Sequence, residues 1–124
     1  MATDATALPV DERVSVRFPG DRVGSFDPSG WDCPRLRRQL SAEIVWQCRP
    51  GGRIGAPGTL QTYASACRRF LSHLATTRDD ELDVTLATLA AADVDRFEAT
   101  LGQLHKVTTA YSTVTTVVAL LRDA

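Results

Sequence analysis

Apolar residues along this 124-residue chain recur at three- and four-residue spacing in four stretches and alternate with polar ones in a fifth. The clearest stretch is Thr59 to Thr77. Leu60, Tyr63, Ala64, Cys67, Phe70, Leu71 and Leu74 share one side of a helix there, which predicts a core face. Gln61, Ser65, Arg68, Arg69, Ser72 and His73 fall on or beside the other side, with no acid among them. Hydrogen-bonding and cationic groups of this kind suit a phosphate backbone, and they suit plain water equally well. The segment on its own leaves both readings open.

A first helix is predicted from about Asp32, with Asp32 as its N-cap and Trp31 and Leu36 as a hydrophobic staple across it. Pro34 is tolerated because the N–H groups of a first turn have no intrahelical partner in any case. Leu36, Leu40, Ile44 and Cys48 form the apolar line, while Arg35, Arg37, Arg38 and Gln39 lie mainly away from it. Arg49-Pro50-Gly51-Gly52 stops this helix, and the run on to Gly58 reads as a flexible connection with Arg53 as its only charge. Its glycines are not a nucleotide-binding loop, because neither the Walker lysine pattern nor a preceding buried strand accompanies them.

Beyond the charged turn Arg78 to Asp83, a third helix is predicted with Val94, Phe97, Leu101 and Leu104 as its apolar line. Asp93 and Asp95 suit the positive end of its dipole, and Gly102 suggests fraying or a cap near its end. Val107 to Arg122 carries a β-branched run with strand propensity. Ala110, Val114, Val117, Val118 and Leu121 nevertheless match helical spacing better than alternation, and Thr108 can serve as an N-cap. A fourth helix is therefore expected.

The N-terminal quarter is different. Residues 1–12 are small and polar and are expected to fray. In Arg13 to Phe18, Val14, Val16 and Phe18 alternate with Arg13, Ser15 and Arg17, a short half-buried strand or extended arm. Turn chemistry at Pro19-Gly20-Asp21 and Asp27-Pro28-Ser29-Gly30 predicts little regular structure after it. The expected architecture is an all-α, four-helix domain over residues 32–124, preceded by a short, partly extended or flexible arm over residues 1–31.

Charge changes this picture through its distribution. The formal net charge is -1, which argues against a general nucleic-acid coat. Residues 32–78 nevertheless hold eight arginines against Asp32 and Glu43, a local +6, while residues 79–124 stand at -5. Arginine is the side chain whose planar fork binds phosphates and guanine edges bidentately, although a GC-rich genome also favours its codons. Cys33, Cys48 and Cys67 have no CxxC spacing, and His73 and His105 stand at no metal-finger distance from them, so no metal or cofactor is expected. Cys67 reads as a small core residue and His73 as a surface one. No apolar run of signal-peptide or membrane-span length occurs, which points to a cytoplasmic protein without a membrane partner.

The order of landmarks adds a resemblance. Thr59-x3-Tyr63-x6-Phe70-x3-Leu74 is followed by Leu86-x2-Leu89, by Ala92-Asp93-Val94-x2-Phe97, and by Thr109 opening a helix that ends Leu-Leu-Arg. Over roughly residues 32–124 this resembles the SAM-like core-binding N-terminal domain of tyrosine recombinases, the phage integrase family. Two features depart from the pattern: Ala90 stands where a capping Ser or Thr is common, and the last third is acidic.

The resemblance implies one half of a clamp on double-stranded DNA, self-associating on DNA through the full-length protein, with strand cleavage left to a separate catalytic domain. It implies DNA contacts from Gln61, Ser65, Arg68, Arg69 and Ser72 on the second helix and from Lys106, Thr109, Ser112, Thr113 and Thr116 on the fourth. Arg35 and Arg38, with Arg37, add backbone contacts or solvated charge from the first. Tyr63 lies on an apolar line and Tyr111 lacks an Arg-His-x-x-Arg constellation, so neither is expected to be a nucleophile, and no small-molecule substrate is expected. The competing readings are a helical protein–protein interaction module and a standalone DNA-binding regulator without catalysis.

Overall fold

The computed structural model describes residues 12–124; the N-terminal part of the expected arm, residues 1–11, lies outside the described residues. The chain is mostly helical. Strands β1 (Val14–Phe18) and β2 (Arg22–Phe26) are followed by helices α1 (Pro34–Gln47), α2 (Pro57–Thr77), α3 (Ala91–Leu104) and α4 (Val107–Asp123). Helix α2 is the hub, in contact with β2, α1, α3 and α4.

The expected strand is present, and it has a partner that the all-α expectation lacked. β1 and β2 pair antiparallel from Val14 with Phe26 to Phe18 with Arg22. The reversal uses Gly20 and Asp21 at φ of 80° and 59°, two residue types that tolerate the left-handed region. The hairpin presents Val14, Val16, Phe18 and Phe26 inward, and Phe26 stacks with Trp31 at 5.9 Å between ring centroids. Gly24 explains how closely β2 can approach α2. A Cβ there would stand 3.0 Å from Leu60 Cδ2 and 3.1 Å from both Phe18 Cε2 and Pro57 Cα.

The first helix starts later than its sequence suggests. Its N-cap is Cys33, at φ 56° and ψ 72°, and not Asp32. A left-handed non-glycine residue costs roughly 1–2 kcal/mol, and here it brings the wholly buried Cys33 thiol to within 3.5 Å of the Leu71 carbonyl on α2. Trp31 and Leu36 are both buried, but with the cap at Cys33 they do not occupy the staple positions.

The connection after α1, expected to run to Gly58, ends at Ala56 because Pro57 already opens α2, and it is tied down at several points. Ile54 is fully buried and its N–H donates to the Gln47 carbonyl, while Arg53 pairs with Asp123 at the end of α4. The Arg53 backbone N–H also donates to Gln47 Oε1.

The N-cap of helix α3 is Ala90, which has no capping oxygen. The acceptor comes from the third helical residue, where buried Asp93 takes the Ala90 N–H at 2.9 Å and Arg78 Nη1 at 2.7 Å. One carboxylate thereby joins the end of α2 to the start of α3. Gly102 lies inside α3, and the helix ends at Leu104 with His105 as C-cap. Leu104, expected on the apolar line, is 71% exposed. Helix α4 has the predicted helical form, with Lys106 rather than Thr108 at its N-cap. Phe70 and Phe97 meet edge to face at 5.2 Å in the centre of the core, where Leu36, Leu40, Ile44, Leu74, Val84 and Val117 are also fully buried.

Candidate nucleic-acid interface

Helix α2 packs its apolar side on α1, α3 and α4 and keeps Gln61, Ser65, Arg68 and Ser72 as a ridge at helical spacing. Arg68 and Ser72 are exposed, and Ser65 and Arg69 are half-buried. A cleft of about 270 Å³ separates this ridge from α4, and Gln61, Thr62, Ser65, Arg69, Ser112 and Thr113 line it. Five of the expected contact residues are thus brought together: three from α2 and two from α4. Thr113 is the buried one, at the cleft's base.

The other expected residues are spread around this centre. Thr116 is half-buried, and its hydroxyl donates to the Ser112 carbonyl at 2.9 Å, which commits its proton to its own helix. Thr109 and Lys106 are exposed in the first turn of α4 and at its N-cap. Arg35 and Arg38 are exposed on α1 and line none of the three clefts that flank the α2 ridge.

On the far side of the ridge, Gln61, Ser65 and Arg68 face Phe26, Asp27 and Trp31 across a cleft of about 210 Å³. The Gln61 side-chain N–H donates to the Ser25 carbonyl, fastening β2 to the first turns of α2. The hairpin's contact with this ridge is the part that sequence reasoning missed. The only available signal was the inward alternation of Phe26 with Gly24.

A third cleft, of about 280 Å³, lies between α2 and α3, with Arg68, Arg69, Ser72 and His73 on one wall and Phe97 and Leu101 on the other. His73, expected at the surface, is half-buried and lies against Phe97 at 5.4 Å between ring centroids. Burial pushes its pKa below the ordinary value, helped by nearby Arg96 and opposed by Asp93. At neutral pH the imidazole adds no cation to this surface.

The fold also sorts the arginines of the +6 segment. Arg53 is paired with Asp123, and Arg78 with Asp80 at 2.8 Å and Asp93 at 2.7 Å, so acids from the last third neutralise part of the middle third. Arg49 lies over the Trp46 ring at 4.1 Å and donates to the Trp46 carbonyl. Among the described residues, Arg68 and Arg69 have no ion pair and no side-chain hydrogen bond. Adjacent, unneutralised guanidiniums beside a hydroxyl-lined cleft can bind phosphate oxygens without first breaking an internal pair.

The three thiols do not add reactive chemistry. Burial pushes Cys33 and Cys48 up to about 11 and Cys67 up to about 12, so all three remain protonated at neutral pH. Among the described residues, no group of three or more His, Cys, Asp or Glu side chains can hold a metal ion, and no helix is long and apolar enough to cross a membrane. Comparison with protein families, with curated proteins and with solved structures finds no match to this chain.

Proposed function

We propose that this chain is the DNA-binding part of a site-specific tyrosine recombinase, a SAM-like core-binding domain that grips duplex DNA and leaves strand cleavage to a separate catalytic domain. The observation that carries this reading is the unpaired arginine couple, Arg68 and Arg69, on the exposed side of α2 beside the α2–α4 cleft. Cationic forks and hydroxyls on two neighbouring helices are what a phosphate backbone requires for position and register. Ser112 and Ser65, from opposite walls of the cleft, supply neutral hydrogen-bonding groups beside Arg69.

In this reading the domain is not itself an enzyme. Tyr63 is half-buried against the core, and its neighbour Arg53 is engaged by Asp123, so the phenol is not set among the free cations that phosphoryl transfer needs. The partner is double-stranded DNA, with self-association on DNA through the full-length protein.

One observation favours a second reading. Leu104, Val107 and Tyr111 are 71%, 81% and 69% exposed around the α3–α4 junction, and apolar groups at such a corner suit a protein partner. Duplex-DNA affinity as a function of salt separates the two. The recombinase reading expects affinity that falls steeply with salt through Arg68 and Arg69. Absence of duplex binding at low salt, with salt-insensitive protein association, supports the interaction module instead.

A further inference from the structure

The side chain of Gln61 is held by one bond and left with unused capacity. Its amide nitrogen faces the Ser25 carbonyl, an atom that only accepts, so the orientation of the amide follows from its partner. One N–H is used in that bond. The second N–H and the Oε1 acceptor make no hydrogen bond to any described residue, although Gln61 is exposed and lies between the two clefts that flank the α2 ridge. A glutamine fixed in this way has already lost much of its rotamer freedom before any ligand arrives.

The remaining pair is informative because it contains both a donor and an acceptor. A phosphate oxygen can use the donor but repels the acceptor. The arginines beside it, which only donate, fit phosphate well. One donor and one acceptor on the same amide match the major-groove edge of adenine, whose N6 amino group donates and whose N7 accepts.

Resting on the DNA-binding reading above, we infer that Gln61 is a specificity-determining residue that reads an adenine in the major groove, oriented for that task by the Ser25 carbonyl of β2. The hairpin then has a functional part: it is the splint that sets the amide. Arg68 and Arg69, about two turns further along α2, hold the backbone, and Gln61 reads the base.

The test is selection of bound sequences from a random duplex library by the 124-residue chain, for wild type, Gln61→Ala and Gln61→Arg. Wild type is expected to enrich sites with adenine at one fixed position. Gln61→Ala should lose preference at that position, with roughly 5- to 150-fold less discrimination against other bases, and keep the remaining positions and the salt dependence. Gln61→Arg should shift the preference there to guanine. Thermal unfolding of each variant reports whether the hairpin anchor was lost along with the contact.

A merely structural Gln61 predicts a uniform drop in affinity with the sequence preference intact, and that result overturns the inference while leaving DNA binding in place. Wild-type binding without any sequence preference overturns it in the same way. No wild-type binding to duplex at low salt overturns both this inference and the reading on which it rests.

Discussion

Replacing Asp93 should separate two contributions that one buried carboxylate makes to the junction of α2 and α3. Asp93 is 3% exposed and accepts the Ala90 N–H at 2.9 Å and Arg78 Nη1 at 2.7 Å. Asp93→Ala removes an N-terminal helix bond of about 1 kcal/mol and a charge-assisted bond of about 1.5–3 kcal/mol. Arg78 keeps both of its contacts to Asp80, at 2.8 and 2.9 Å, so the cost of stranding its charge is reduced. The loss should therefore total roughly 2–3 kcal/mol. With an unfolding entropy of about 2.1 cal/mol/K per residue, that corresponds to a fall in Tm of about 10 °C. Asp93→Asn keeps an acceptor for Ala90 but not the charge for Arg78, and should lose about half as much. Urea and thermal unfolding of the three proteins measure this directly. A loss below about 1 kcal/mol for Asp93→Ala would refute the reasoning, and equal losses for Ala and Asn would show that the Ala90 bond contributes nothing.

Three further outcomes are expected. Gly24→Ala places a Cβ 3.1 Å from the Pro57 backbone and 3.0 Å from Leu60, and should cost about 1–3 kcal/mol in urea unfolding; Gly58→Ala, with open space in the first turn of α2, should instead be neutral or stabilising by up to about 1 kcal/mol. Glu43 has its pKa raised chiefly by burial, against the lowering effect of its bond from Gln47. The protonated form is favoured in the fold, so its contribution is full below the ordinary value of 4.5 and is lost as pH rises through the raised folded value. The Tm advantage of Glu43→Gln over wild type should accordingly grow across that window, and an advantage that does not change with pH contradicts it. Cys67, buried with its pKa pushed up to about 12, should react with a disulfide reagent at pH 8 only at the rate of unfolding, and labelling of the native protein at free-thiol rates contradicts its burial.

The helices were legible because their periodicity is strong and long. On α2, Leu60, Ala64, Cys67, Phe70, Leu71 and Leu74 are buried as their spacing requires, and Tyr63 is half-buried. The β-branched α4 also follows its spacing, since Ala110, Val114 and Val117 are buried against the bundle despite their local strand propensity. Helix starts were harder to place. Asp32 has the preferred cap chemistry, yet tertiary packing turns Cys33 into the left-handed region to bury its thiol. Ala90 looks like a missing cap, and the compensating acceptor sits three residues later in Asp93.

Strand β2 was hidden because Arg22-Val23-Gly24-Ser25-Phe26 has a glycine where its pattern needs an inward side chain. The reason for that glycine is the closeness of Leu60 and Pro57, which is information about another element. The candidate interface was legible in the same measure. Residues on one helix face could be grouped by spacing, so Gln61, Ser65, Arg68 and Ser72 were found together. Which arginines are neutralised depends on long-range partners such as Arg53 with Asp123, and no local pattern reports those.

The most direct measurement is the affinity of the chain for duplex DNA between 50 and 200 mM salt, with Arg68→Glu combined with Arg69→Glu beside wild type and circular dichroism confirming that both are folded. Wild type should lose affinity steeply as salt rises, by about 0.9 log units per log unit of salt for each phosphate neutralised. The double variant should bind at least roughly tenfold more weakly at low salt, with the slope reduced by about 2. Equal affinity and equal slope in the folded double variant would contradict the assignment of this helix face to DNA.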